Sequence, residues 1–472
     1  MVYVSTAICE IVYLVWSYFF LKNYQLLGYN IKSFLVSIYS FQFGFGDKNK
    51  LVWTKRMTRF IILYFILSTG LFFLVNYFVK SLPLVFLNYI IIFIFAHIFI
   101  VFVHFLLLPL ELLIKKYYIA KARRKLEKLN VIKIGITGSY GKTSTKNILT
   151  CMLEKEFKVC TTPKNYNTEM GLTKTILNNL DDHDILIAEM GARHVGDIKA
   201  LTKIVQPNYA VLTTIGKQHI ETFKSIENIE KTKFELAENV AENGIVVFNG
   251  DSPSNLKLYK KYKGIKYLTC DEKGFCYAKN IKIDTNGSNF DLIIDKQTLK
   301  VSTKLLGKGN IDNIVISACL AYLLGIKNDD LISAIKMLEP TPHRLQLINN
   351  NYMTIIDDSY NSNLTGASQA LEVLSMFDGQ KIVVTPGLVE MGIDQSEANF
   401  MLGTLIADVA DYIIIMNEIN KNYILSGAIS HNFDKNKIYF CSNRKKQKEL
   451  LQLLTTKDCV VLFENDLPDN YK

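Results

Sequence analysis

The sequence predicts an α/β protein with an N-terminal α-helical transmembrane module, and three observations lead there. The first 130 residues hold three long apolar stretches. From residue 131 onward, short β-branched runs alternate with helix-prone segments, the pattern of a mainly parallel sheet covered by helices. Where the two regions meet, Val131-Ile-Lys-Ile-Gly-Ile-Thr-Gly-Ser-Tyr-Gly-Lys-Thr-Ser-Thr145 reads as a buried strand, a glycine-containing turn and the start of a helix. The proline-marked joint Pro340-Thr-Pro-His-Arg344 divides the remainder, so three regions are expected: 1–130, 131–340 and 341–472.

Val2–Leu21, Phe60–Val79 and Leu84–Leu108 are each long enough to cross a hydrocarbon core of roughly 30 Å. No basic segment precedes the first, which argues against a cleaved signal peptide. Lys22, Lys32, Lys48, Lys50, Lys55, Arg56 and Arg59 lie between the first two spans, and a second basic run, Lys115 to Lys128, follows the third. The turn Lys80-Ser-Leu-Pro83 carries one lysine. The positive-inside rule then sets the N-terminus outside and everything beyond residue 110 in the cytoplasm, as in a multi-pass cell-membrane protein. Tyr24–Phe45 is expected along the cytoplasmic interface, Pro109 to end or kink the third helix, and 111–129 to form a basic juxtamembrane helix. Glu10, His97 and His104 fall within spans, where they either serve a function or else hydrogen-bond between helices or snorkel.

Charge supports this division. The net charge is +10, and residues before 131 hold 15 Lys/Arg against 4 Asp/Glu, leaving 39 against 40 beyond. A neutral body argues against nucleic acid, and a basic N-terminal region fits the lipid bilayer surface. The eight cysteines are scattered without a C-x-x-C pair, which reads as reduced thiols rather than a disulfide framework or a zinc site.

The turn after the strand carries the chemistry. Gly138 and Gly141 let the backbone curl so that N–H groups around Ser139, Tyr140 and Ser144 point at a polyphosphate. Lys142 brings a cation to the β- and γ-phosphates, and Thr143 offers a hydroxyl to Mg²⁺. The strict phosphate-loop pattern has glycine where Ile136 stands, so the spacing kept is Thr-Gly-x-x-Gly-Lys-Thr. A Gly/Ser turn without a ligand is the competing reading, and Lys-Thr opening a helix weighs against it. Asp184–Met190 is a buried strand with Glu189 at its carboxyl end, where open α/β sheets bind ligands and a carboxylate can hold a metal. Tyr209–Thr214 and Gly244–Phe248 are further strands. By residue type alone, His219 reads equally as a loop histidine or a ligand, and Lys233, in Lys231-Thr-Lys-Phe-Glu235, as part of a solvated helix face.

Five segments in this order resemble the Mur ligase family, ATP-dependent enzymes that join amino acids or peptides to a carboxylate. The branch most resembled adds D-alanyl-D-alanine to the muramoyl tripeptide. Thr137-Gly-Ser-Tyr-Gly-Lys-Thr143 looks like the family's phosphate loop, and Thr162–Gly171 like the segment approaching substrate and metal. Glu189-Met-Gly-Ala-Arg-His-Val-Gly-Asp-Ile198 resembles the stretch with a magnesium-binding glutamate. The resemblance makes His219 a second-magnesium ligand and Lys233 the lysine that many members carbamylate to position that metal. Leu306–Asn313 resembles the Gly-x-His-Asn-x-x-Asn segment near the adenine, with Gly309 in place of histidine. Asn310 and Asn313 are the base contacts it implies, and capping a helix that begins near Ile311 is their alternative role.

Arg344 resembles the hinge arginine that reaches the ATP phosphates. Strands expected at Tyr352–Ile356, Lys381–Thr385, Tyr412–Met416, Lys437–Phe440 and Cys459–Phe463 make the C-terminal region a Rossmann-like unit. Asp357-Asp-Ser-Tyr-Asn-Ser-Asn363 resembles the family loop Asp-Asp-Ser-Tyr-Asn-Ala-Asn-Pro, with Leu364 at the proline position. Asp358 and Asn361 would orient nucleotide and amine, or merely form turns. Pro386–Gly392 resembles Gly-Asp-Met-x-Glu-Leu-Gly, keeping Glu390 and Gly392 and placing Gly387 at the aspartate position.

The resemblance implies an amide ligase that uses ATP and Mg²⁺, with Lys142, Lys233, Arg344 and Asp358 in catalysis and Thr143, Glu189, His219 and Lys233 at the metals. The family's soluble UDP-sugar-binding N-terminal domain is expected to be replaced here by the spans. The carboxylate substrate is then membrane-held or UDP-linked, and the amine an amino acid or dipeptide. A poly-amino-acid synthetase of capsule type and a membrane NTPase without ligase activity are the alternatives. The intact Gly141-Lys142-Thr143 argues against a non-catalytic scaffold.

Overall fold

The structure, a computed structural model, describes residues 2–40, 50–78, 90, 96–163, 166–349, 353–360 and 362–467. The chain divides into two compact units, residues 1–118 and 119–472.

In the first unit the described helices are α1 (Val2–Leu26), α2 (Ile31–Tyr39), α3 (Lys55–Phe78) and α4 (Ala96–Lys128), the last running on into the second unit. Residues 84–89 and 91–95 of the third expected span lie outside the described residues. Among the described residues one helix, α4, is long and apolar enough to cross a membrane. Pro109, expected to end or kink the third helix, lies inside α4, which continues without a break to Lys128. Proline removes one intrahelical hydrogen bond, and the leucine-rich turns on either side have the propensity to carry the helix through it. The basic juxtamembrane segment is therefore the same helix.

Aromatic packing holds this unit together, with Phe20, Tyr24, Phe34, Phe60 and Tyr64 all buried. α2 occupies the middle of the expected interfacial segment. It is capped by Asn30, whose side chain accepts from Ser33 N at 3.1 Å. His104 takes the second of its two expected roles, its Nδ1 lying 2.5 Å from the Tyr24 hydroxyl. Arg59 donates to Glu111 Oε1 from Nε and Nη2 at 2.9 and 2.6 Å.

The second unit holds two sheets. The first contains β1 (Ile132–Thr137), β2 (Val159–Thr161), β3 (Ile185–Glu189), β4 (Tyr209–Leu212), β5 (Ile245–Asn249), β6 (Ile265–Thr269), β7 (Cys276–Asp284), β8 (Gly287–Ile294) and β9 (Gln297–Thr303). Their order is β2-β3-β1-β4-β5-β6-β7-β8-β9. The pairs from β2 to β7 are parallel, but β7, β8 and β9 form an antiparallel meander. The expectation of a mainly parallel sheet missed this extension. Its signals were present: Asn286-Gly287 is a hairpin turn pair, and β9 alternates exposed and buried residues.

Helices cover both faces of the parallel part. In β3, Ile185 and Ile187 join one apolar layer, with Ile148 and Leu149 from the helix α5 (Lys142–Leu153). Leu186 and Ala188 join the layer on the opposite face. That is why the strand reads as an unbroken apolar run. By the same alternation Glu189 falls on the α5 side.

The second sheet contains β10 (Gln346–Asn349), β11 (Met353–Asp358), β12 (Lys381–Thr385), β13 (Tyr412–Ile415), β14 (Ile438–Phe440) and β15 (Cys459–Glu464), in the order β10-β11-β15-β12-β13-β14. It is parallel except for β10, which pairs antiparallel with β11. The short β10, with polar residues at both ends, gave the sequence reading no pattern to catch.

Two helices flanking this sheet, Gln395–Ala407 and Lys421–Ser430, cross closely enough that glycine is needed at the contact. A methyl group on Gly403 would strike Ile424 O, and one on Gly427 would strike Phe400 O. Gly427→Ala should therefore destabilise the protein by about 1–3 kcal/mol through overpacking, seen as a lower melting midpoint in thermal denaturation.

Candidate active site

Register brings the first site residues together. β1 pairs with β3 so that Ile136 lies opposite Glu189, and with β4 so that Thr137 lies opposite Leu212. The phosphate-type loop, Glu189 and the loop after β4 consequently leave the sheet at one edge. Ser139 N donates to Thr214 O at 2.8 Å and Ser139 Oγ to Gly216 O at 2.8 Å, fastening the two loops side by side. Gly141 has φ 80°, and a side chain there would collide with Asn313. This left-handed turn delivers the chain into α5 with its N-terminal N–H groups facing the loop, the arrangement that binds anions.

A cleft of about 340 Å³ opens at this edge. Ser139, Tyr140, Gly141, Lys142, Thr143, Glu189, His219 and Arg344 line it, so eight of the expected site residues share one space. Gly138 lies beneath: its carbonyl and that of Ser139 each accept from Lys142 Nζ at 2.8 Å. Burial lowers Lys142 to about 8, with Glu189 opposing the shift and Arg344 adding to it. An incoming phosphate would replace the carbonyls as Lys142's partner and restore its charge.

Glu189 is almost wholly buried. Its Oε2 accepts from Thr143 Oγ1 at 3.0 Å and pairs with Lys146 Nζ at 3.2 Å, while Oε1 accepts from Asn167 Nδ2 at 3.2 Å. Lys146 was not among the expected residues. One turn after Lys142, its position on the buried face of α5 was the available signal. Thr143 and Glu189 together present a hydroxyl and a carboxylate, the all-oxygen donor set that Mg²⁺ takes when phosphates and water complete its shell. This pair fits the implied ion.

The other expected metal residues are placed differently. Lys233 does not sit on a solvated face: it is buried, on the helix Ile226–Glu238, and does not line the cleft. Burial, with the Lys142 charge adding, holds its amine well below the usual lysine range. A neutral amine of this kind is the form that reacts with CO₂. His219 lines the cleft, and its Nδ1 is engaged by Glu390 Oε2 at 2.5 Å, leaving Nε2 for any ligand role. That hydrogen bond holds the Glu390 carboxyl below its ordinary range. Beside it Lys217 pairs with Asp394 at 2.7 Å, so two polar contacts join the loop after β4 to the C-terminal domain.

The two asparagines expected beside the adenine both make hydrogen bonds within the protein. The helix Lys308–Leu323 starts three residues before Ile311, and its N-cap, Gly307, makes no side-chain hydrogen bond. Asn310 turns its Nδ2 back to Leu306 O at 2.9 Å, and Asn313 Oδ1 accepts from Thr145 Oγ1 at 3.0 Å. Asn313 thus braces the phosphate loop from behind. Ser144 is buried in α5. Arg344 lies over the Tyr360 ring, 4.5 Å from its centroid, with residues in the left-handed region on both sides, His343 and Leu345. Asp358 accepts from Leu345 N at 3.0 Å. Burial raises it to about 6, against the pull of that N–H and of Arg344. Asn361 lies outside the described residues. The sequence reading also passed over Glu464, fully buried at the end of β15 and in register with Asp358. An acid closing an apolar strand was the same signal that marked Glu189.

Fold and cleft define an ATP-using enzyme of two α/β domains, with a phosphate loop at the strand ends of the first and an arginine supplied from the joint to the second. The chain matches the Mur ligase middle domain over residues 136–321 and the Mur ligase glutamate ligase domain over 343–463. It is 30% identical to the MurF ligase of Thermotoga maritima, solved in complex with ADP, with a TM-score of 0.68 over 75% of this chain and 80% of that one. The UDP-N-acetylmuramoyl-tripeptide–D-alanyl-D-alanine ligase of Bacillus subtilis is 27% identical over 350 residues, 73% of this chain and 75% of that one. The enzyme of the same name from Buchnera aphidicola is 29% identical over 311 residues, 65% of this chain and 68% of that one. This chain belongs to the Mur ligase family and is an ATP-dependent amide ligase.

Two outcomes follow from the geometry. Glu189→Gln leaves Lys146 buried without its anion and should cost about 3–5 kcal/mol, measured by denaturant unfolding. Gly141→Ala forces Asn313 off Thr145 and reshapes the phosphate turn. It should weaken ADP binding by roughly 2 kcal/mol, measured by calorimetry, and leave the unfolding midpoint of the C-terminal domain in place.

Proposed function

We propose that this protein is a membrane-anchored ligase that joins an amine to the carboxylate of an envelope-glycan precursor at the cytoplasmic face of the cell membrane. The carboxylate is UDP-linked or held at the bilayer, and the amine is an amino acid or a dipeptide such as D-alanyl-D-alanine. The convergence of Lys142, Thr143, Glu189, His219 and Arg344 on one cleft is the observation that supports it.

A carboxylate has no usable leaving group, so it must be activated. ATP lends its γ-phosphoryl group to make an acyl phosphate, and the amine then attacks the carbonyl carbon and expels phosphate. Lys142 and Arg344 approach the cleft from opposite domains and hold the phosphoryl charge as it spreads over its oxygens. Thr143 and Glu189 would hold Mg²⁺, and His219, in the lining of the same cleft, would serve a second ion, while Lys233 lies outside that lining. The ion supplies charge neutralisation on the transferring phosphoryl group. The contacts of His219 with Glu390 and of Lys217 with Asp394 keep the C-terminal domain against the nucleotide loop, which excludes water from the acyl phosphate.

Exposed apolar side chains support the membrane reading. Ile62 and Ile66 on α3 and Phe102, Phe105 and Leu106 on α4 are each more than half exposed, a surface that lipid would cover. Residues before 136 lie outside both matched family domains.

The test uses the full chain in native lipid with Mg-ATP, a panel of amino acids and D-alanyl-D-alanine, and either UDP-N-acetylmuramoyl tripeptide or a lipid extract as acceptor. A mass gain equal to amine minus water, abolished by Lys142→Ala, is expected. Phosphate release indifferent to every amine and acceptor would reject the ligase reading. In fractionated cells the protein should stay in the membrane pellet after alkaline carbonate washing, and its release into the supernatant would reject the anchor.

A further inference from the structure

A smaller pocket opens beside the nucleotide cleft and shares Tyr140, Gln218 and His219 with it. Its far wall belongs to the C-terminal domain and includes Ser362 and Asn465. Ser362 stands where the family loop quoted above has alanine, so this wall carries a hydroxyl that the family pattern lacks.

That hydroxyl is not idle. Ser362 Oγ hydrogen-bonds to Glu464 Oε1, and Ser362 N donates to Asn465 Oδ1 at 3.2 Å. Glu464 is fully buried, and its Oε2 has no hydrogen-bond partner. Asp358 is its register partner on the neighbouring strand. A carboxyl group shut away from water, with a second carboxylate on the neighbouring strand, binds a proton more tightly than one in water. Burial, with Asp358 adding, holds Glu464 well above the usual carboxylate range. A carboxylate of ordinary acidity would be too weak a base to relieve an ammonium ion of its proton, whereas one with raised affinity is matched to that task. Phosphoryl transfer in the cleft gives Ser362 and Glu464, neither of which lines it, nothing to do.

We propose that Ser362 and Glu464 form the proton-accepting dyad for the incoming amine. This inference rests on the ligase reading above and names the amine's protonation state and docking wall. The substrate arrives as a primary ammonium. An N–H proton passes to Ser362 Oγ while the Ser362 hydroxyl proton passes to Glu464. The nitrogen lone pair so freed forms the C–N bond to the acyl phosphate, and the C–O bond to phosphate breaks with its electrons leaving on phosphate. The second proton lost from nitrogen goes to the departing phosphate. Ser362 is the catalytic residue of the two, since it faces the amine, and Glu464 positions and charges it from behind.

Hydroxylamine tests the dyad, because it is neutral near pH 7.5 and needs no deprotonation before attack. The full chain in native lipid is given Mg-ATP and UDP-N-acetylmuramoyl tripeptide, or the lipid extract, with either the amine panel or hydroxylamine. Amide and hydroxamate are each quantified. Ser362→Ala and Glu464→Gln should each lower amide formation about 100-fold while hydroxamate formation stays within about threefold of the unmodified protein, given that the substitutions lie outside the phosphoryl-transfer cleft. ADP binding should be unchanged in both. Unaltered amide formation overturns the proposal. An equal loss of amide and hydroxamate also overturns it, since that is the mark of a merely structural role. If Glu464→Gln does not fold, Ser362→Ala decides alone, because it removes only a hydroxyl from a pocket wall. Failure of the unmodified protein to make either product rejects the ligase reading instead, so the two failures are distinguishable.

Discussion

Glu189 is a carboxylate held almost entirely out of water, and the nucleotide cleft depends on how its charge is kept. Lys146 balances it from the second turn of α5, Thr143 and Asn167 each donate to it, and β1 lines its strand up with the phosphate loop. An uncompensated carboxylate at this depth would take up a proton and cease to offer a charge to a metal. The position and polarity of the first helix turn follow from that requirement. Lys142 reaches the loop carbonyls of Gly138 and Ser139, and Thr143 and Lys146 both reach the Glu189 carboxylate, three contacts spread over little more than one turn of a single helix.

A second constraint comes from the distance in sequence between the parts. The nucleotide loop and Arg344 are some 200 residues apart, yet they line the same cleft. The joint achieves this with two residues in the left-handed region, His343 and Leu345, flanking the arginine, and with Asp358 receiving the Leu345 N–H. On the opposite side of the cleft, His219 and Glu390 make the corresponding tie, and both also have positive φ. Backbone held in such conformations on both sides of a contact is affordable only where the contact is needed. Here the contacts bring two domains to one reacting centre.

The parts visible from the chain alone were those with a local signature. Strand-turn-helix at 131–145 could be read because apolar β-branched residues, glycines and Lys-Thr follow one another within fifteen positions. Glu189 could be read because it closes an apolar run. The C-terminal strands were legible for the same reason, all five of their starting points falling within one residue of the observed ones. Partnerships were not legible. Nothing local to His219 announces Glu390, 171 positions away, and nothing in Lys233's helix announces its burial. The helix runs on through Pro109 because the neighbouring turns outweighed the local rule, whereas the antiparallel strands β7 to β9 were passed over although their turn pair and alternation obey it.

Composition, spacing and strand-end chemistry in the sequence were therefore enough to determine a basic apolar N-terminal region, a phosphate loop with its lysine and threonine, and an acid at the mouth of the same sheet. The tertiary structure alone decided which charges are buried and who answers them: Lys146 beneath Glu189, Glu390 against His219, Glu464 behind Ser362. The reason is physical. A residue's type travels with the chain, whereas its solvation and its partner are set by what the fold brings from far along the sequence, and in a low-dielectric cleft these decide whether a side chain is an acid, a base or a ligand.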